Sequence, residues 1–127
     1  MTLSAHEELL NLLAGTGFTV HDGEVPAMPA YPYVLVTPRR PWIRDRALSR
    51  ARHGRRVSWL LTAAGLSSTA VLVLVDGCVS ALDGARVLGQ RLELEPGGAD
   101  ILTDDDTAPD GQIVHFAKLQ FGLTLPA

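Results

Sequence analysis

The chain holds a single cysteine, Cys78, among 127 residues, which excludes an intrachain disulfide. Set in an apolar run, that thiol reads as a small buried hydrophobe rather than a nucleophile. There is no C-x-x-C and no H-E-x-x-H, so spacing argues for no standard metal site. Aromatic residues are scarce at 6%, and aliphatic side chains must fill the core. Long apolar runs are missing too. The longest, Ala70 to Val75, is far short of a membrane span. Residues 1–13 carry Glu7 and Glu8 and no Lys or Arg, unlike a signal peptide. The expectation is a chain that remains in the cytoplasm when made, with no membrane partner.

What remains is ordinary for a globular protein: 46% hydrophobic and 20% charged residues. The length suits one domain, expected to span residues 1–127. A chain of this size buries roughly two thirds of its unfolded surface, enough for a core without staples.

Charge is where the sequence departs from the ordinary. The net charge is −3. Between residues 39 and 56 lie Arg39, Arg40, Arg44, Arg46, Arg50, Arg52, Arg55 and Arg56 with one acid, Asp45, a local balance of +7. The remainder therefore carries −10, with acids clustered late at Asp100, Asp104, Asp105, Asp106 and Asp110. Such a molecule can attract a copy of itself or an acidic partner. Three readings of the arm stand open: a solvated loop, a docking arm, or a contact to nucleic-acid backbone. Arginine pairs bidentately with carboxylate and phosphate alike. Only Trp42 interrupts the arginines, so stacking platforms for single strands are lacking.

No enzymatic signature appears. His6, His21, His53 and His115 stand at no ligand spacing, and no G-x-S-x-G elbow occurs. The glycines at 65, 77, 84 and 89 form neither a P-loop nor a dinucleotide fingerprint and read as turns and caps. Asp104–Asp106 offers carboxylates that suit Ca²⁺ or Mg²⁺, but the EF-hand pattern is absent, and a solvated acidic turn is expected. No catalytic residue, cofactor or metal is expected.

Hydrophobic periodicity orders the elements. Ser4 and Glu7 form a plausible capping box for a helix over 4–14, stopped by Gly15 and Gly17. Phe18 to Gly23 suggests a short strand and turn, and Tyr33 to Val36 a second strand ending at Pro38. A long arm over 39–56 then separates two strands. Val57, Trp59 and Leu61 alternate with Ser58, Leu60 and Thr62 as a strand. Ser67 is a candidate N-cap for a helix whose stripe runs Val71, Leu72, Val75, Cys78, Val79 and Leu82 and stops at Gly84. Leu88 to Leu94 alternates as a strand. Ile113 to Leu125 reads as a long half-buried strand, with Ala117, Leu119, Phe121, Leu123 and Leu125 on one face. The expected fold is α+β: a mostly antiparallel sheet with two helices packed on one face and the basic arm between two strands.

Four segments together resemble the tail terminator (tail-completion) proteins of long-tailed bacteriophages. They are the first helix followed by Val20-His21-Asp22-Gly23-Glu24-Val25-Pro26; the run Ala30-Tyr31-Pro32-Tyr33-Val34-Leu35-Val36; the strand, turn and helix ending in Ala81-Leu82-Asp83-Gly84; and Asp105-Asp106 followed by Pro109-Asp110-Gly111 and a terminal strand. The likeness is one of layout and short phrases across nearly the whole chain. The arginine-dense arm has no counterpart among the family's hallmarks. The resemblance implies a small α+β subunit that forms a homo-oligomeric ring, a hexamer, on the head-proximal end of the tail tube. Such a ring stops tube polymerisation and offers the surface that joins the head's connector. Its implied partners are itself, the tail tube protein and a head-completion protein. DNA passes through without sequence-specific binding, and the implied location is the virion's head–tail junction. Another connector, neck or tube protein is the alternative, and a nucleic-acid-binding protein a weaker one. The eight arginines are the candidate interface residues.

Overall fold

The computed structural model describes residues 2–39, 42–43, 55–96, 100–107 and 111–125. The elements run α1 Thr2–Ala14, β1 Val20–Asp22, β2 Tyr33–Pro38, β3 Trp42–Ile43, β4 Arg55–Gly65, α2 Ser68–Leu82, β5 Arg86–Val87, β6 Gln90–Arg91, β7 Glu93–Leu94, β8 Leu102–Thr107 and β9 Ile113–Leu125. β4 and β9 form the spine, paired antiparallel from Arg55↔Leu125 to Gly65↔His115. β2 lies along the second half of β4 and β3 along its first two residues, while β1 joins β2 in parallel. On its other side β9 pairs with β8 at one end and β7 at the other. The result is a seven-stranded, mostly antiparallel sheet, with β5 and β6 as a separate hairpin.

Period two decides which face is covered. Val57, Trp59, Leu61 and Ala63 of β4 point the same way as Ala117, Leu119, Phe121, Leu123 and Leu125 of β9 and Val34 and Val36 of β2. The two helices among the described residues both pack on that face. Helix α1 contributes Ala5, Leu9 and Leu13, spaced four apart; α2 contributes Val71, Leu74, Val75, Cys78 and Leu82. Fully burying a side chain of this kind stabilises by about 1.5–3 kcal/mol. The fold class expected from the pattern is the one observed.

The termini of α2 follow the sequence signals. The Ser67 side chain accepts a hydrogen bond from the Ala70 amide at 3.1 Å, and Gly84 takes φ +83 just past the last turn.

Other expectations are corrected. Helix α1 begins at Thr2, so Ser4 and Glu7 lie within its first turns and form no capping box. The segment Leu88 to Leu94 is not one strand. Leu88 and Gly89 take φ +50 and +76, the two positive values that a tight two-residue hairpin needs, and the chain reverses there. Asp104–Asp106 is strand, not turn. Thr103 and Thr107 pair with His115 and Ile113, so the acids sit in a bulge held by the ladder on either side. Gly77 is neither turn nor cap: it is inside α2, where an added Cβ would meet the Phe18 ring at 2.4 Å. Finally, the basic stretch is not one loop. Trp42–Ile43 pairs with Arg56 and Arg55, so strand residues enclose 44–54, which lie outside the described residues along with Arg40.

Candidate interaction surface

Among the described residues no helix packs on the sheet's second face. Residues Tyr33 and Leu35 of β2, Thr62 and Ala64 of β4, Asp104 of β8 and Val114, Phe116 and Lys118 of β9 line an open groove of about 310 Å³ there. These are the alternate positions of the strands whose other residues fill the core. Tyr33 stacks tilted against Tyr31 and edge-on against His21, each at 5.4 Å between ring centroids. Burial, then Tyr31 and Asp104, hold the Tyr33 hydroxyl above the ordinary tyrosine range, so it stays a neutral donor. The Lys118 ammonium stands 6.0 Å from the Phe116 ring centre, at the outer reach of a cation–π contact. The groove offers aromatic and aliphatic contact area with a few polar groups, the make-up of a protein contact.

Towards the opposite end of the same face lies a polar network. The Arg56 guanidinium donates to Glu95 Oε1 from Nε at 3.0 Å and from Nη2 at 2.6 Å, and from Nη1 to the Thr124 hydroxyl at 3.4 Å. Gln120 Nε2 donates to Glu95 Oε2 at 2.5 Å. The pair lies over Gly122, where a Cβ would meet Glu95 Oε1 at 2.3 Å and Arg56 Nη2 at 2.8 Å. A glycine in mid-strand is thus required by the close approach of the ion pair.

A second network ties α1, β1 and β4 together. Trp59 Nε1 donates to His6 Nδ1 at 3.1 Å, and His6 Nε2 lies 2.8 Å from Asp22 Oδ1. This pattern assigns the neutral Nε2–H tautomer. It satisfies the indole N–H of a fully buried tryptophan.

The eight candidate arginines separate. Arg56 is committed to Glu95 within the fold. Arg39 is exposed, its amide bonded to the Ser58 carbonyl at 2.9 Å. Arg55 lies on β4. Arg40, Arg44, Arg46, Arg50 and Arg52 lie outside the described residues. The groove was missed from the sequence, although a signal existed. Val114 and Phe116 are apolar residues on the β9 face otherwise marked polar by Lys118, Gln120 and Thr124.

Elsewhere, Leu72 and Val73 on α2 are 50% and 57% exposed, and Leu102 and Ile113 at the β8 end of the sheet are each 53% exposed. Among the described residues no cluster of three His, Cys, Asp or Glu could hold a metal ion. None of their helices is long and apolar enough to cross a membrane. Cys78 is buried, and burial pushes its thiol up to about 11.

These features define the class: an α+β domain with a two-helix layer on one face of the sheet and an open, partly aromatic groove on the other. No protein-family model matches the chain, and no curated protein does. Among solved structures, a chain in the virion of a native gene transfer agent particle has the same fold. The match covers 100% of this chain and 95% of that one, with a TM-score of 0.52 and 16% identity.

Proposed function

We propose that this chain is a structural virion protein of the tail terminator kind, one domain that assembles into a ring and caps the head-proximal end of a tail tube. The observation that carries this reading is the fold likeness to a chain of a gene transfer agent virion, which extends over the whole chain. The tail-terminator-like phrases along the sequence point the same way. The half-exposed Leu72, Val73, Leu102 and Ile113 and the groove on the second sheet face supply apolar area for protein contacts.

The action would be binding alone. One end of the ring matches the last ring of the tube; the other end does not reproduce the tube's growing surface and instead meets a head-completion protein. That asymmetry halts polymerisation. A head-to-tail interface closes into a ring when its rotation permits, and six copies are what the family resemblance implies. DNA would pass through the central hole without sequence-specific contacts.

The test is electron microscopy of assembled tails mixed with purified protein. Density at one end of each tube, with tubes that no longer elongate when tube subunits are added, is the expected result. Binding along the tube wall, or continued growth, would overturn the reading in favour of a tube or neck component.

A further inference from the structure

The two sides of the domain carry matching surfaces, and we infer that the outer face of α2 in one copy docks in the groove of a second copy, with Leu72 and Val73 over the groove floor and Asp76 on Lys118. This rests on the ring reading above and names a contact within it.

The groove suits a slim apolar ridge with one acid. Its floor is Thr62 and Ala64 on β4, two small residues between taller walls. Register sets Tyr33, Ala64 and Phe116 in one row across the sheet, and Leu35, Thr62 and Lys118 in the next row on the same face. Lys118 is the sole lysine of the chain and is exposed at the groove wall. The ion pairs among the described residues join His6 to Asp22 and Arg56 to Glu95, so neither Lys118 nor Asp76 is taken. A cation beside an apolar floor is complemented by a carboxylate beside apolar side chains.

The outer face of α2 has that make-up. Leu72 and Val73 are half-exposed, and Thr69, Asp76 and Ser80 are exposed with them. Asp76 stands four residues after Leu72 and three after Val73, so the three form one cluster on the helix surface. No side chain on this face is larger than leucine, which lets the helix come close to the sheet. The spacings agree as well. Leu72 to Asp76 is about 6 Å along a helix, and the Ala64 row to the Thr62 row is about 7 Å along a strand. Asp104 lines the groove beyond the Thr103↔His115 pair, away from Lys118, and its charge turns Asp76 towards the Lys118 end.

The two surfaces cannot meet within one chain. Helix α2 lies on the core face of the sheet with Val71, Leu74 and Cys78 turned inward, and the groove opens on the other face. Two helices α2 packed on each other would leave both Asp76 carboxylates without a cation, since α2 holds no Lys or Arg. The occupant is therefore a second copy placed head to tail, the kind of contact that closes into a ring when its rotation permits.

Sedimentation of the full chain across concentration, joined to carbodiimide cross-linking, tests this. The wild type should self-associate. Carbodiimide should join Lys118 to Asp76 as a peptide pair found in dimers and larger species and not in the monomer. K118E or D76K alone should weaken association about threefold or more, and one chain carrying both should recover it. L72S with V73S should weaken it about tenfold or more. These positions are exposed, and circular dichroism checks that each variant keeps the fold. A wild type monomeric at high concentration, associated protein without the Lys118–Asp76 cross-link, folded single reversals that associate like wild type, or a double reversal that fails to recover would each overturn the contact. A monomeric wild type whose capping of tail tubes is lost in K118E would assign the groove to a tail or head protein instead. If dissociated variants still cap tubes at one end, the contact is wrong and the capping role survives; if wild type associates as described but ignores tubes, the reverse holds.

Discussion

Replacing Glu95 by alanine tests whether Arg56 belongs to the fold or to an interface. The substitution removes the acceptor of two guanidinium hydrogen bonds and of the Gln120 amide, leaving Arg56 with Thr124 at 3.4 Å. The side chains of Arg56 and Glu95 are 14% and 18% exposed. That places the pair between an exposed ion pair, of about 0–1 kcal/mol, and a fully buried one, whose breakage costs about 3–5 kcal/mol. The expected loss is roughly 2–3 kcal/mol. For 127 residues the unfolding entropy is about 0.27 kcal/mol per degree, so the midpoint should fall by roughly 7–11 °C. Arg56→Ala should cost a similar amount, because Glu95 is then left half-buried beside Gln120. The double variant should cost less than the two singles added, with a coupling of about 1–2 kcal/mol. Thermal unfolding followed by circular dichroism provides all four corners. Single variants within about 0.5 kcal/mol of wild type, or strictly additive losses, would show that the pair does not hold the sheet and would return Arg56 to the candidate interface.

Further consequences can be checked on the same protein. Cys78 should resist alkylation at pH 8 in the folded chain and react promptly once unfolded. Its thiol titrates near 11 when folded and near 9 when unfolded, so the unfolded state binds fewer protons in that window. Stability should therefore fall as pH rises from about 9 to 11, by roughly 2–3 kcal/mol, and Cys78→Ala should remove that part of the slope. His6→Ala leaves the Trp59 indole N–H without its acceptor and should cost about 1–3 kcal/mol in urea melts, whereas an unchanged midpoint would deny the hydrogen bond a role. Gly77→Ala gains helix propensity of about 1 kcal/mol but drives a methyl into the Phe18 ring, so a net loss of about 1–2 kcal/mol is expected; a more stable variant would refute the close contact.

Much of the architecture was decided locally. The stripe from Val71 to Leu82, the Ser67 cap and Gly84 fix α2 because the spacing, the capping hydroxyl and the left-handed glycine all act within one segment. The thirteen residues of β9 alternate strongly enough to be read directly. Local pattern failed where a partner strand or a distant side chain decided. The three aspartates of β8 have poor strand propensity, yet the ladder to β9 on either side holds them extended. Leu88-Gly89 breaks an alternation that looked continuous, since backbone sign at a turn is invisible to polarity. Gly77 and Gly122 are glycines because an aromatic ring and an ion pair from remote segments lie on them. Arg56 looked like one arginine among eight; Glu95, thirty-nine residues away, makes it part of the sheet.

The sequence by itself determined the α+β class, the two helices on one face, the long last strand and the uneven division of charge, because each depends on composition or on short-range period. Tertiary structure alone decided that alternate residues of β2, β4 and β9 line a groove, which arginine is spent inside the fold, and that the Ile43–Arg55 pair and the acidic strand stand at opposite ends of β4. Those depend on register between strands far apart in the chain, and no local pattern encodes register across such distances.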